Sequence, residues 1–462
     1  MTVTTNPLRP TPGSPRPYHF PDFDRRQLDN GLTVWTVPLP GSHVVSVHLL
    51  VDAGAAAEDE AKAGVAALTA QLLVTGTRRL DAAQFAEATE RLGIEVSSES
   101  SWDSARAAFQ SLPEHVEEGI ALLAEMVREP RLDPAEFERL RAERLADIMQ
   151  ARADPGRLAE EMFLRHVYDA STPYRRLSGG VPETVSALTL DDVRAHHDAH
   201  WRPGRAHLVV VGWIDPEAVM RAAQLAFGEW QGEGVGHRPV NPVPAGLRRV
   251  IIVDRPGSVQ SELRVGHIGI ERTSDRYFPA LVTGALLGGV FGSRLNLRLR
   301  EELGYTYGAR AGFDPRRAPG PFSAATAVQT EVTTDAIREL LGQLDRIRAE
   351  APGERELREV RDFLVGVFPL RFETTGGVAL AIEPLAVYGL PDDYWQTYRS
   401  HLEAVTPDEV LATARALIRP DELVILAVGD AARIADELRE ARFGPTEVVQ
   451  PLGHPASAAS EG

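Results

Sequence analysis

The chain has 462 residues, of which 43% are apolar and 25% charged. It carries no cysteine, and 49 basic against 66 acidic side chains leave a net charge of −17. That length exceeds what a single core serves, so two domains of roughly 200 residues each are expected. The negative charge argues against nucleic acid and anionic membranes as partners, and the lack of cysteine excludes disulfides, thiolate metal sites and a cysteine nucleophile.

In chain order, residues 1–22 hold several prolines and no apolar run of signal-peptide type. They read as a flexible leader. LTVWTVP and VVSVHLLVDAG then read as strands and KAGVAALTAQLLVTG as a helix, which opens a first domain over 23–231. The stretch GEGVGHRPVNPVPAG, residues 232–246, is dense in Gly and Pro and reads as a linker. A second domain, 247–441, opens in the same way: the strands RRVIIVDRP and ELRVGHIGI are followed by the helix YFPALVTGALLGG. Residues 442–462, rich in small and polar types, read as a disordered tail. No segment offers about 20 uninterrupted apolar residues, so a cytoplasmic protein is expected.

A gapless internal repeat supports two related domains. Val185–Gly212 aligns with Leu402–Gly429 at a constant offset (429 − 212 = 217), placing Thr189 on Thr406, Arg202 on Arg419 and Pro203 on Pro420. Each copy predicts a helix capped by threonine with an acid three residues on, then an Arg-Pro turn and an apolar strand ending in glycine. The expected fold class is α+β, two homologous domains that each pack helices on a largely antiparallel sheet.

Two segments carry the chemistry. Ala63–Thr77, AGVAALTAQLLVTGT, resembles the zinc helix of the pitrilysin and insulinase-like metallopeptidases, G-x-x-H-x-x-E-H-x-x-x-x-G-T. Gly64, Gly76 and Thr77 keep the frame, whereas the histidine positions hold Ala67 and Gln71 and the glutamate position Ala70. In that pattern two histidines four apart bind the ion and the glutamate deprotonates the attacking water. Alanine does neither, so no metal is expected in this chain. The third ligand of the family, about 76 residues on, would fall near Asp147 or Gln150. Read without the resemblance, the same segment is an amphipathic core helix.

The second segment, Gly288–Phe313, resembles the second-domain signature of the family, S-R-L-x-x-x-L-R-E-x-x-G-x-x-Y. The resemblance implies an arginine and a tyrosine that reach across a cavity to the substrate. Arg298 and Tyr305 are assigned to these roles, with Tyr307 as the alternative phenol. Such donors stabilise the oxyanion that forms as water attacks a peptide carbonyl. The structural alternative pairs Arg298 with Glu302 at i,i+4 and packs Tyr305 at a helix end.

Bacterial and mitochondrial members often divide their four domains between two chains, only one of which carries H-x-x-E-H. The resemblance therefore implies a non-catalytic subunit that binds peptide on an exposed strand edge and polarises it in a heterodimer. Zinc would sit in an H-x-x-E-H partner. The alternative is an inert structural or peptide-binding scaffold. His196, His197 and His200 form a candidate metal cluster on one helix, but the repeat puts Thr413, Ala414 and Leu417 at the equivalent positions and no third ligand lies nearby. Phosphate-loop and nucleophile-elbow motifs are absent.

Overall fold

The computed structural model describes residues 16–237 and 240–451. The apolar runs become twelve strands: β1 (Asp24–Gln27), β2 (Thr33–Pro38), β3 (Val45–Val51), β4 (Glu95–Ser100), β5 (Ala105–Ser111) and β6 (Ala206–Gly212) in the first half; β7 (Arg249–Asp254), β8 (Gln260–Ile268), β9 (Ala309–Phe313), β10 (Pro321–Gln329), β11 (Val424–Gly429) and β12 (Thr446–Val449) in the second. They form two six-stranded sheets, ordered β1-β2-β6-β3-β5-β4 and β12-β7-β11-β8-β10-β9. Five strands of one sheet therefore correspond in order to five of the other, as the repeat requires. Each sheet is antiparallel except beside the repeat strand, where β6 runs parallel to β2 and β11 parallel to β7, and where β12 joins β7 in parallel. The repeat glycines end both strands in register, Gly212 opposite Pro38 and Gly429 opposite Asp254.

The helices used below are α1 (Val65–Leu73), α2 (Pro134–Ala153), α3 (Pro155–Val167) and α4 (Leu190–His200) in the first half, and α5 (Tyr277–Gly284), α6 (Glu354–Val367), α7 (Thr375–Tyr388) and α8 (Pro407–Leu417) in the second. The expected caps form on both repeat helices: Thr189 accepts the Asp192 amide at the start of α4, and Thr406 that of Glu409 at the start of α8.

Strands β6 and β11 are buried on both faces, so each sheet must be covered twice. One face is covered locally. The other is covered by the opposite half: Val378, Ile382 and Leu385 of α7 share a core with Val209 and Val211 of β6, while Leu158, Met162 and Phe163 of α3 share one with Leu426 and Val428 of β11. The halves are thus interlocked by exchanged helices. Alternation along β6 supports this, because Leu208 and Val210 point into the local core instead.

Both terminal expectations need correction. Phe20 is 2% exposed and sits edge-on to Phe372 at 5.1 Å, with Tyr18 stacked on the same ring, so the leader is anchored at these two aromatics rather than loose up to residue 22. Within 442–462, Phe443 is buried and Thr446–Val449 pair with β7 as the outer strand of the second sheet. The remaining parts of both segments, 1–15 and 452–462, lie outside the described residues. The 232–246 stretch joins the last helix of the first half to β7; its described residues form no helix and are held to the first half by bonds such as Val235 N–H to the Ala199 carbonyl (2.9 Å).

Candidate functional site

Helix α1 starts from Gly64, whose φ of +97° suits glycine, and its first amides are not capped by a neighbouring Ser, Thr or Asp. Glu58 caps them instead. Its carboxylate has no solvent exposure and accepts from the Gly64 amide (3.1 Å to each oxygen) and the Ala66 amide (2.8 Å), with Arg176 at 3.5 Å. Burial pushes this carboxyl up to about 7 against the opposing pull of those amides and of Arg176. Sequence reasoning missed Glu58, since a cap donated from six residues upstream has no local signature.

The rest of α1 is packing. Leu68, Thr69, Ala70 and Leu72 are buried, and Thr69 spends its hydroxyl on the Val65 carbonyl at 2.7 Å. Ala67 and Gln71, four apart, share a half-buried face, so the two ligand positions still point the same way. Gln71 Oε1 is enclosed with no hydrogen-bond partner. Asp147 and Gln150 are exposed on α2, and the neighbouring Arg144 spends its Nε on the Gly179 carbonyl (3.0 Å). One amide oxygen, two alanines and an exposed carboxylate do not fit a zinc ion, and among the described residues no group of three His, Cys, Asp or Glu side chains could hold a metal.

The second segment is built differently. Helix α5 continues into a π-helical turn, Ala285–Gly289, and a second π-helical turn covers Asn296–Glu302. Such turns are rare and concentrate at functional sites. Gly288 permits the first to lie on β9, because a Cβ there would stand 2.2 Å from the Ala311 amide nitrogen. Asn296 ties the second to β9: Nδ2 donates to the carbonyls of Ala309 (2.9 Å) and Val290 (3.3 Å) and to Ser293 Oγ (3.1 Å), and Oδ1 accepts the Ala309 amide (2.9 Å). Arg294 adds a two-pronged bond to Glu356 on α6 at 2.6 and 2.9 Å. Neither Asn296 nor Arg294 was singled out from sequence.

Arg298 is held by three bonds, two to Glu339 (2.7 and 2.9 Å) and one to Glu302 (2.7 Å), so the i,i+4 pair foreseen as the structural alternative forms and a second carboxylate reinforces it. Tyr305 is partly buried against the core, its amide bonded to the Leu299 carbonyl at 2.8 Å. Counted letter by letter from Ser293, the second arginine and the tyrosine of the signature fall on Arg300 and Tyr307, also seven apart. Arg298 and Tyr305 stand two residues before the arginine and tyrosine of that pattern. Arg300 lies 3.7 Å over the ring of Phe291 and bonds Glu301 (Nε, 2.8 Å), whereas Tyr307 is 97% exposed.

The histidines of α4 are core groups. His197 Nε2 donates to the Val127 carbonyl (2.7 Å), and the rings of His196 and His200 lie 4.5 Å apart. Burial holds His196 down to about 3, so its imidazole stays neutral.

Two repeated sheet-and-helix halves, interlocked, with a zinc-helix frame in the first and the Ser-Arg-Leu signature in the second, define an insulinase-type metallopeptidase architecture. The chain belongs to peptidase family M16. Residues 33–179 match the insulinase (peptidase family M16) model and 187–364 the peptidase M16 inactive domain. It is similar over 429 residues, at 24% identity, to an uncharacterized zinc protease of Streptomyces coelicolor, covering 89% of this chain and 92% of that one. It is similar over 390 residues, at 23% identity, to the non-peptidase homolog YmxG of Helicobacter pylori, covering 83% and 88%. The crystal structure of a peptidase M16 inactive domain from Pseudomonas fluorescens shares the fold with a TM-score of 0.82 at 24% identity, over 88% of this chain and all but 2% of the other.

Proposed function

We propose that this chain is the zinc-less subunit of a two-chain peptidase, in which Arg300 and Tyr307 reach a peptide bound at the metal of an H-x-x-E-H partner. The observation that carries the proposal is the contrast in exposure: the ligand positions of α1 are Ala67, Ala70 and Gln71, while Tyr307 stands almost wholly in solvent and Arg300 rests on an exposed aromatic. An unsupported phenol at 97% exposure does nothing for the stability of its own chain. Against a developing oxyanion, a phenol and a guanidinium are effective donors.

The peptide would lie extended along β9, the outer strand of its sheet, which begins two residues after Tyr307. A cleft of about 270 Å³ flanks that edge, walled by Gly284, Gly289 and Gly312 with Phe313 and Phe363, and accepts an apolar side chain. No single helix among the described residues is long and apolar enough to cross a membrane. The bent pair that passes by length and composition, Glu354–Phe372 with Thr375–Tyr388, includes α7, which packs on the first sheet.

The test is reconstitution with an H-x-x-E-H chain from the same genome. Cleavage should require both chains and fall about a hundredfold with Arg300→Ala or Tyr307→Phe, while Arg298→Ala and Tyr305→Phe leave turnover near wild type. The reverse pattern would return the roles to Arg298 and Tyr305. Failure of every H-x-x-E-H chain to bind would favour the scaffold reading.

A further inference from the structure

The two halves can be matched residue by residue where their sheets end. At one end of the first sheet Leu39 follows β2, Trp213 follows β6, Val44 precedes β3 and Leu112 follows β5, and these four strands are neighbours. Ser46 lies opposite Val211 and Val45 opposite Ser111, which sets Val44 between Trp213 and Leu112. The Leu39 amide donates to the Gly212 carbonyl at 2.7 Å, which brings Leu39 beside Trp213. Residues opposite one another share a face of the sheet, so the four side chains form one row. Trp213 is 59% exposed, Leu112 and Val44 are exposed as well, and Leu39 is half-buried.

The second half is the control. There the Arg255 amide donates to the Gly429 carbonyl (2.8 Å), Gln260 lies opposite Gln329, and the pairing of β8 with β11 brings Asp430 opposite Gln260. Arg255, Asp430, Gln260 and Gln329 thus hold the places of Leu39, Trp213, Val44 and Leu112. The same sheet end is built from charged and amide side chains, so the fold does not call for an apolar row. A contiguous apolar patch left in water marks an interaction surface, and tryptophan is a frequent anchor in such surfaces.

Charge selects the occupant. Trp213 leads to Asp215 and Glu217 at the head of helix Pro216–Phe227, and Leu112 to Glu114, Glu117 and Glu118 at the head of helix Val116–Arg128. Arg26 pairs with Glu217 and Asp24 (2.6 Å each) and Arg221 comes to 3.9 Å from Asp215, whereas Glu114, Glu117 and Glu118 make no ion pair among the described residues. Each helix N-terminus carries about half a positive charge, which the two or three carboxylates beside it outweigh. An acidic rim repels an anionic membrane, and about a two-fold axis it would face itself, so neither a lipid surface nor a second copy of the chain fits.

We propose that this end of the first sheet docks a segment of another protein that carries apolar side chains flanked by lysine or arginine. The apolar groups cover Trp213, Val44 and Leu112, and the cations meet the carboxylates that follow Leu112 and Trp213. The surface does not depend on the peptidase reading, because it uses neither motif segment.

The test is fluorescence anisotropy of a labelled amphipathic Leu/Lys peptide titrated with the intact chain at physiological ionic strength, beside a Leu/Glu peptide of the same pattern. The Leu/Lys peptide should bind saturably, and the Leu/Glu peptide about tenfold more weakly or less. Trp213→Asp and Leu112→Gln copy the side chains of the second half, so the fold should tolerate them. Each should weaken Leu/Lys binding about tenfold or more, while Leu225→Gln, at an exposed apolar position elsewhere, leaves it unchanged. No saturable binding, equal affinity for the two peptides, or affinity indifferent to Trp213→Asp would overturn the proposal. So would tighter binding to phosphatidylserine vesicles than to the peptide, or a dimer in sedimentation that Trp213→Asp dissolves.

Discussion

The helix after the opening strands of each half has taken an opposite course. In the first half, α1 is a regular α-helix whose chemistry has been replaced by packing, and of its three former ligand and base positions only Gln71 is polar, with its Oε1 enclosed and unpartnered. In the second, α5 gives way to two π-helical turns, the second pinned by Asn296 with Arg294 just before it; Phe291 and Tyr307, beside these turns, stand in solvent, and Arg300 stacks on Phe291 and bonds Glu301. Exposure without a stabilising contact, as at Tyr307, is what the proposed role at a partner's site requires. Burial without a polar function marks residues kept for the core.

Substitutions can break or sharpen this contrast. The largest effect is expected from Ala70→Glu, which places a carboxylate at a fully buried position and should cost about 3 kcal/mol or more in urea denaturation. Ala67→His and Gln71→His, at half-buried positions, should each stay within about 1 kcal/mol; equal costs at all three positions would dissolve the idea of a packing helix. Leu68→Ala should cost about 2–5 kcal/mol, against less than about 0.5 for the exposed Leu297→Ala. Next in size, Asn296→Ala should cost about 1–3 kcal/mol by orphaning the Ala309 amide, and hydrogen exchange should show β9 loosened first.

Glu58 gives a pH signature of its own. Its folded value, about 7, lies above the ordinary glutamate range, so its contribution to stability is fully present below about pH 4.5 and is lost as pH rises through 7. Glu58→Gln should flatten that part of the stability profile, and an unchanged profile would show the carboxyl to be unshifted. The smallest effects are expected from Arg300→Ala and Tyr307→Phe in the isolated chain, within about 0.5 kcal/mol. A larger loss from Tyr307→Phe would reassign the phenol to a structural role.

Much of this was legible because it rests on local rules. The Thr189 and Thr406 caps, the Arg-Pro turns and the apolar repeat strands β6 and β11 ending in glycine each follow from a few adjacent residues. The candidate site was half legible: the empty ligand positions of α1 are identities in a row, whereas the arginine and tyrosine were placed two residues early. Arg298 and Arg300 differ in their neighbours, not in their letters, and Glu339 lies 41 residues away from Arg298.

By itself the sequence determined that there are two related sheet-and-helix halves and that the first has lost zinc chemistry, because periodicity, capping and ligand identity are properties of short windows. Only the tertiary structure decided that α3 and α7 are exchanged between the halves, that Glu58 caps α1, that Phe20 and β12 belong to the packed body, and that Arg298 is neutralised while Tyr307 is free of its own chain. Each depends on groups brought together across the chain, where burial and Coulomb interactions act with no imprint on neighbouring residues.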